Sequence, residues 1–411
     1  MSKTKIVIRG PVLSRSGYGE MARLALKSLQ SREDLFDIYL VATGWGATGW
    51  IVEDDEQRRT IDALLMKTIN YMQEGNSFDV SLQVQLPNEW QPIAPINIGY
   101  TAGVETTTVP PEWAQVASQI EKVITLSKHS RDAFYNAGVE LAETDVVSVG
   151  FPVREYNNVD VPLDLKYDFN FITNSQWAPR KNLENTIVAF VNEFQNEEVG
   201  LVIRTSLKNN SKLDRMHAES RLKSLLKGAP EERLCKIYLL HGDMQNDEIL
   251  SLYDHPKIKA YTTLSHGEGW GLPAFEAASA GIPLVAPEWG GFAEFSTVPV
   301  KSRSKKKNTT RNKTMIAAVK YEIKEVQPEH VWEGVINQGS QWCYPSESSA
   351  RQQMRQVFKN YKKYESMALK LKAHLTEKYS TDTVYEQFVQ HVVDAIEENK
   401  TAIEDTPVVV I

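Results

Sequence analysis

Ser265-His-Gly-Glu-Gly-Trp-Gly-Leu-Pro-Ala-Phe-Glu276 is the most informative stretch of the chain. It follows Ala260 to Thr263, a short run of the kind that forms a buried strand. Pro273 suits the first position of a helix, because its missing N–H would be unpaired there anyway. Gly281 suits the end of that helix, and Pro283 follows. The reading is therefore strand, glycine-rich loop, helix over Pro273 to Ala280, then a strand over Pro283 to Pro287. Such a loop delivers free backbone N–H groups to a helix N-terminus, which favours an anion such as a diphosphate. Glycines let the main chain approach that ligand closely. Glu268 lies in the loop and Glu276 in the first turns of the helix, so both carboxylates can face one cleft and accept hydrogen bonds from sugar hydroxyls.

The same alternation extends outward. Strands are expected at Phe169 to Thr173, Gly200 to Ile203 and Lys236 to Leu240, with helices at Leu183 to Phe194, Lys212 to Leu226 and Asp247 to Leu252. The first half opens with Lys5-Ile-Val-Ile-Arg-Gly10, a buried strand feeding a turn. A loop with Gly17 and Gly19 follows, then a helix from Glu20 to Leu29. Further strands are read at Ile38 to Ala42, Val80 to Val84, Ile96 to Tyr100, Val123 to Leu126 and Val146 to Val149. Alternating strand and helix argues for an α/β protein with two doubly wound, mostly parallel sheets facing across a cleft. The expected domains are residues 1–160, residues 161–383 and a last helix and tail over 384–411 that packs back on the first domain. Residues 151–167, with two prolines and two asparagines, read as the linker.

The chain has 411 residues, a length for two or three domains, and its 42% hydrophobic and 24% charged residues exclude disorder and fibrous repeats. The net charge of −7 excludes a chain that is basic overall but not a local basic patch. Two distant cysteines, Cys235 and Cys343, cannot build a disulfide framework, which points to a reducing compartment. No apolar run approaches the roughly 18 residues needed to span a bilayer. A cytoplasmic protein without a transmembrane segment is the expectation. Eight histidines show no metal-ligand spacing, and no Asp-x-Asp lies in a suitable loop, so no metal site is expected.

Glu268 to Glu276, Ala277-Ala-Ser-Ala-Gly-Ile-Pro-Leu-Val285, Gly290-Gly291 and Glu294 together resemble a known pattern. The chain is similar to GT-B-fold retaining glycosyltransferases of the glycosyltransferase family 4 type, built from two Rossmann-like domains. The resemblance implies a nucleotide-diphosphate sugar as donor substrate, no required cofactor, and transfer to an acceptor hydroxyl on a glycan, a lipid-linked molecule or a modified nucleic-acid base. It implies that Glu268 binds hydroxyls of the transferred sugar and that Glu276 binds the ribose. Gly269 and the backbone of Trp270, Gly271 and Leu272 would touch the sugar and diphosphate. Gly17, Tyr18 and Gly19 would form the glycine loop over the donor phosphates.

Lys181, in Gln176-Trp-Ala-Pro-Arg-Lys-Asn182, matches the family's phosphate-binding lysine. A fixed cation there stabilises the charge that builds on a departing diphosphate. The partner arginine of the family is replaced by Ser175 or Gln176, and Arg180 or Arg204 can substitute. The family's histidine near the reacting sugar is also missing, and Glu105 or Thr101 is the nearest polar candidate. Two other enzyme classes on the same fold stay open, a sugar-nucleotide epimerase and a phosphorylase, as does a non-catalytic nucleotide-sugar-binding protein.

Lys301 to Lys313 holds seven Lys/Arg and no acid, and is expected as a basic loop, residues 299–314, inserted in the second domain. Its composition suits a polyanion, either nucleic acid or an anionic membrane surface. Trp45, Trp50, Trp90 and Trp113 are candidates for an acceptor site, because sugars and bases stack on aromatic faces.

Overall fold

The computed structural model describes residues 3–46, 48–142, 145–304 and 307–404. They form two compact units. The first contains the described residues up to Pro152, Trp332–Asn337 and those from Thr381 on; the second is Val153–Val331 with Gln338–Ser380.

The first unit starts with β1 (Thr4–Gly10), α1 (Gly17–Gln30), β2 (Phe36–Ala42), α2 (Glu56–Gln73), β3 (Val80–Val84) and β4 (Ile96–Thr101). It continues through α3 (Pro111–Ala117), β5 (Lys122–Thr125), α4 (Lys128–Tyr135) and β6 (Val146–Ser148). All six strands are parallel in the order β2-β1-β3-β4-β5-β6. Ile6, Ile8, Leu82 and Ile98 are fully buried, as strands covered on both faces require. The expected glycine loop is not a loop. Ser16 caps α1 by accepting a hydrogen bond from the Gly19 N–H, so Gly17, Tyr18 and Gly19 form the first helical turn.

The second unit contains β7 (Asn170–Asn174), α5 (Leu183–Phe194), β8 (Gly200–Arg204), α6 (Lys212–Leu226), β9 (Lys236–Leu240), α7 (Asn246–Asp254), β10 (Ile258–Thr262), α8 (Leu272–Ala280) and β11 (Leu284–Pro287). Next come β12 (Thr297–Ser304), β13 (Lys307–Thr314), β14 (Ala317–Val319), β15 (Tyr321–Glu325), β16 (Gln341–Pro345), α9 (Glu347–Lys359) and α10 (Tyr361–Lys378). Its parallel sheet runs β14-β11-β10-β7-β8-β9. The chain thus winds outward one way from β7 and the other way from β10, so the order reverses between these two strands. Phe171, Ile187, Phe190, Phe194, Val285 and Met354 fill the core on one face. The last helix, α11 (Thr381–Glu404), belongs to the first unit, where Phe388 meets the ring of Tyr100 edge-on at 5.1 Å.

Two expectations change. The basic segment is a β-hairpin: β12 and β13 pair antiparallel from Thr297↔Thr314 to Ser304↔Lys307, and Lys305 and Lys306 fall outside the described residues. Only Val298 and Val300, at the start of β12, are apolar and half-buried; beyond them neither strand holds an apolar residue, so no alternation marked the pair there. The expected linker is a strap without regular structure, tied to the second unit. Val153 N–H donates to Tyr379 O at 2.8 Å, Val159 N–H to Ser251 Oγ at 3.0 Å, and Asn157 Nδ2 to Asp247 Oδ2 at 3.1 Å.

Candidate functional site

The carboxyl ends of β7 and β10 are neighbours because the strand order reverses there, the place where open parallel sheets take ligands. The loop after β7 carries Arg180 and Lys181; the loop after β10 carries Glu268. A main-chain and a side-chain hydrogen bond tie the two together. His266 N–H donates to Arg180 O at 2.8 Å, and Asn182 Nδ2 donates to Leu264 O at 2.9 Å. Asn182 has φ 51°, a left-handed conformation that asparagine tolerates better than most residues.

Lys181 Nζ lies 2.6 Å from both oxygens of the Glu268 carboxylate. Arg180 Nη1 donates to Gly267 O at 2.6 Å and to Glu268 Oε2 at 3.2 Å. Ser265 Oγ donates to Glu268 Oε1 at 2.9 Å. Glu268 is buried, which by itself raises a carboxyl's pKa. Lys181 and Arg180 outweigh that burial and hold the group below the usual carboxylate range. The two residues to which the resemblance gives separate roles are thus paired with each other.

The main-chain N–H groups of Glu268, Gly269, Trp270, Gly271 and Leu272 donate no hydrogen bond to any described residue. Glu268 to Gly271 are buried and Leu272 is half-buried, and buried main-chain donors are rarely left unpaired. Gly271 makes this start possible: it stands at the helix N-cap with φ 87°. Pro273 is the second helical residue rather than the first, and Gly281 ends α8 at φ 91°. Behind the loop, Gly291 N–H donates to Glu268 O at 2.7 Å. The Trp270 ring is buried among Phe275, Phe295 and Tyr379, with centroids 5.2–5.5 Å away, so only its backbone is available to a ligand.

Glu276 is buried and its Oε1 is 3.3 Å from Arg154 Nη1. Arg154 comes from the strap and was not anticipated; nothing in the local sequence links it to Glu276. Arg204 ends β8 beside β7, and its Nη1 donates to Asn174 Oδ1 at 3.0 Å. Burial pushes the Arg204 guanidinium down from its usual range, and Tyr253, Glu276 and Asp243 offset part of that. Arg154, Arg180, Lys181, Arg204, Glu268 and Glu276 therefore all belong to the second unit.

The remaining candidates fall elsewhere. Tyr18 is buried in the first unit, stacked on Trp45 at 3.9 Å, and its hydroxyl is 2.8 Å from Thr101 Oγ1. Burial raises its phenol, with Thr101 and the Ala102 amide opposing and Glu105 adding to the rise. Thr101 is thus a hydrogen-bond partner of Tyr18, and Glu105 is half-buried in the loop that follows β4. Trp90 and Trp113 are buried core residues, whereas Trp50 is half-exposed. His241 Nε2 pairs with Asp214 Oδ2 at 2.8 Å. His266 stacks on Trp342 with ring centroids 4.8 Å apart, its Nδ1 2.6 Å from Cys343 O, and burial lowers its pKa. Both histidines anchor loops. Among the described residues no group of three or more His, Cys, Asp or Glu side chains is placed to hold a metal ion. No described helix is long and apolar enough to cross a membrane.

No protein-family model and no curated protein matches the chain. Solved structures do. HepE of Anabaena, in complex with UDP and glucose, is similar at 14% identity and TM-score 0.61, over 95% of this chain and 100% of that one. A glycosyltransferase from Rickettsia africae shares 12% identity at TM-score 0.61, over 96% and 99%. The alpha,alpha-trehalose 6-phosphate synthase of Burkholderia multivorans shares 10% at TM-score 0.61, over 97% and 100%. The fold is GT-B: α/β, with two parallel six-stranded sheets and interleaved helices.

Proposed function

We propose that the chain is a glycosyltransferase that takes a sugar from a nucleoside-diphosphate sugar and passes it to an acceptor hydroxyl with retention of anomeric configuration. The Lys181–Glu268 pair beside the unpaired amides that open α8 carries this reading. A cation and a carboxylate held at one point, next to amides that want an anion, suit a ligand that is a diphosphate at one end and a polyol at the other. UDP is the nucleotide favoured, because similar folds hold UDP or UDP-glucose.

On binding, Lys181 exchanges one Glu268 oxygen for a phosphate oxygen, and the amides of Gly271 and Leu272 donate to the same diphosphate. Glu268 then accepts hydrogen bonds from sugar hydroxyls. Glu276 does so from the ribose. In the transfer step the bond from the anomeric carbon to the diphosphate oxygen breaks and the bond to the acceptor oxygen forms on the same face. The acceptor's proton passes to the departing diphosphate. No protein nucleophile is needed. Lys181, with Arg180 beside it, stabilises the charge as it develops.

UDP-glucose should raise the melting temperature of the whole chain, by mass action on the native form, by the equivalent of about 2.7 kcal/mol at a hundred times its Kd. Proton NMR of the slow hydrolysis reaction should show α-glucose appearing first. No shift with any nucleotide sugar would refute donor binding. β-Glucose appearing first would refute retention, and an epimerised nucleotide sugar would replace the transferase with an isomerase.

A further inference from the structure

None of the residues proposed to bind the donor lies in the β12–β13 ribbon. Seven of the chain's 46 positive charges and none of its 53 acidic residues fall within Lys301 to Lys313. The two strands pair over eight positions and form a sheet of their own, joined to neither parallel sheet. At about 3.3 Å per residue they extend roughly 26 Å. Lys301, Arg311 and Lys313 are exposed and form no ion pair with any described residue. Their register sets them on opposite faces. Arg311 pairs with Val300 and Lys313 with Val298, whereas Lys301 pairs with Thr310, one step out of phase. Unneutralised cations therefore flank the ribbon on both sides.

We infer that this ribbon binds duplex DNA. Three observations favour that partner. The residues between the cations are all Ser, Thr or Asn, hydroxyls and amides that contact phosphates alongside Lys and Arg. No apolar residue lies between Lys301 and Lys313, so the segment offers nothing to bury in a bilayer. A two-stranded ribbon enters the major groove of B-form DNA, where phosphates line both walls and meet cations on both faces. The major groove of A-form RNA is too narrow to admit it. The ribbon also starts next to the donor loop: Thr297 lies two residues after Phe295, whose ring packs 5.5 Å from that of Trp270.

Fluorescence anisotropy of a labelled 24-base-pair duplex, titrated with the full chain at several salt concentrations, tests the inference. The affinity should fall steeply with salt, with a log–log slope of about −3 or steeper for three or more phosphates neutralised. A triple variant, Lys301→Glu/Arg311→Glu/Lys313→Glu, should bind at least about tenfold more weakly at 100 mM salt. It should keep the thermal transition and UDP-glucose binding of the parent chain. Failure of the parent to bind the duplex, equal affinity in the variant, or preference for duplex RNA or phosphatidylserine vesicles would each overturn the inference. Because UDP-glucose binding is read separately, this failure is distinct from failure of the donor site.

Discussion

Lys181→Met will lower sugar transfer by about 10²–10³-fold, the range seen when a group that stabilises transition-state charge is lost. The expectation follows from geometry. The ammonium touches both oxygens of a buried carboxylate that is proposed to bind the donor's sugar hydroxyls. Removing it has a second consequence. Glu268 keeps Arg180 and Ser265 but loses its closest cation, and breaking a buried pair from one side costs about 3 kcal/mol. The two effects separate in a double-mutant cycle. Lys181→Met/Glu268→Gln removes both charges, so most of the lost stability should return, while transfer stays well below that of Glu268→Gln alone. Transfer in the double variant equal to that of Glu268→Gln alone would make Lys181 a purely structural residue.

Gly291→Ala should be nearly as damaging, although Gly291 touches no expected ligand atom. A Cβ there would lie 2.5 Å from Trp270 Cα, 2.6 Å from Trp270 O and 2.7 Å from Gly269 O. All three are main-chain atoms and cannot swing aside. The loop must shift, at a cost of about 1–3 kcal/mol, and the amides of residues 269–272 move with it. UDP-glucose affinity, measured by calorimetry, should drop by about tenfold or more, as small displacements at such sites do. Gly228→Ala provides the control, since its Cβ would meet nothing within 4 Å. Equal UDP-glucose affinity in the Gly291 variant would mean that the loop's position does not matter.

The parallel strands were legible as short runs rich in Val, Ile and Leu, whether buried throughout, as Val80–Val84 is, or half-buried at a sheet edge, as Lys236–Leu240 is. Val80–Val84 and Lys236–Leu240 fall where the sequence placed them. The ends of α8 were legible for a different reason: Gly271, Pro273 and Gly281 each mark a backbone conformation rather than a packing face. What the sequence concealed depends on distance or on pairing. Lys181 and Glu268 are 87 residues apart, and only the reversal between β7 and β10 brings them together. Arg154 reaches Glu276 because a segment read as a linker lies along the second unit. Gly17 to Gly19 read as a loop because two glycines suggest a turn, but the Ser16 cap makes them a helix start. Beyond Val300 the β12–β13 ribbon has no apolar residue, so no alternation marked it there; its only apolar, half-buried residues are Val298 and Val300, at its start.

A crystal structure of the chain with UDP-glucose tests the central claim most directly. The account predicts the diphosphate within hydrogen-bond distance of Lys181 Nζ and of the Gly271 and Leu272 amides, with Glu268 turned to the sugar's hydroxyls. UDP-glucose bound elsewhere, with Lys181 still gripping both oxygens of Glu268, would contradict it.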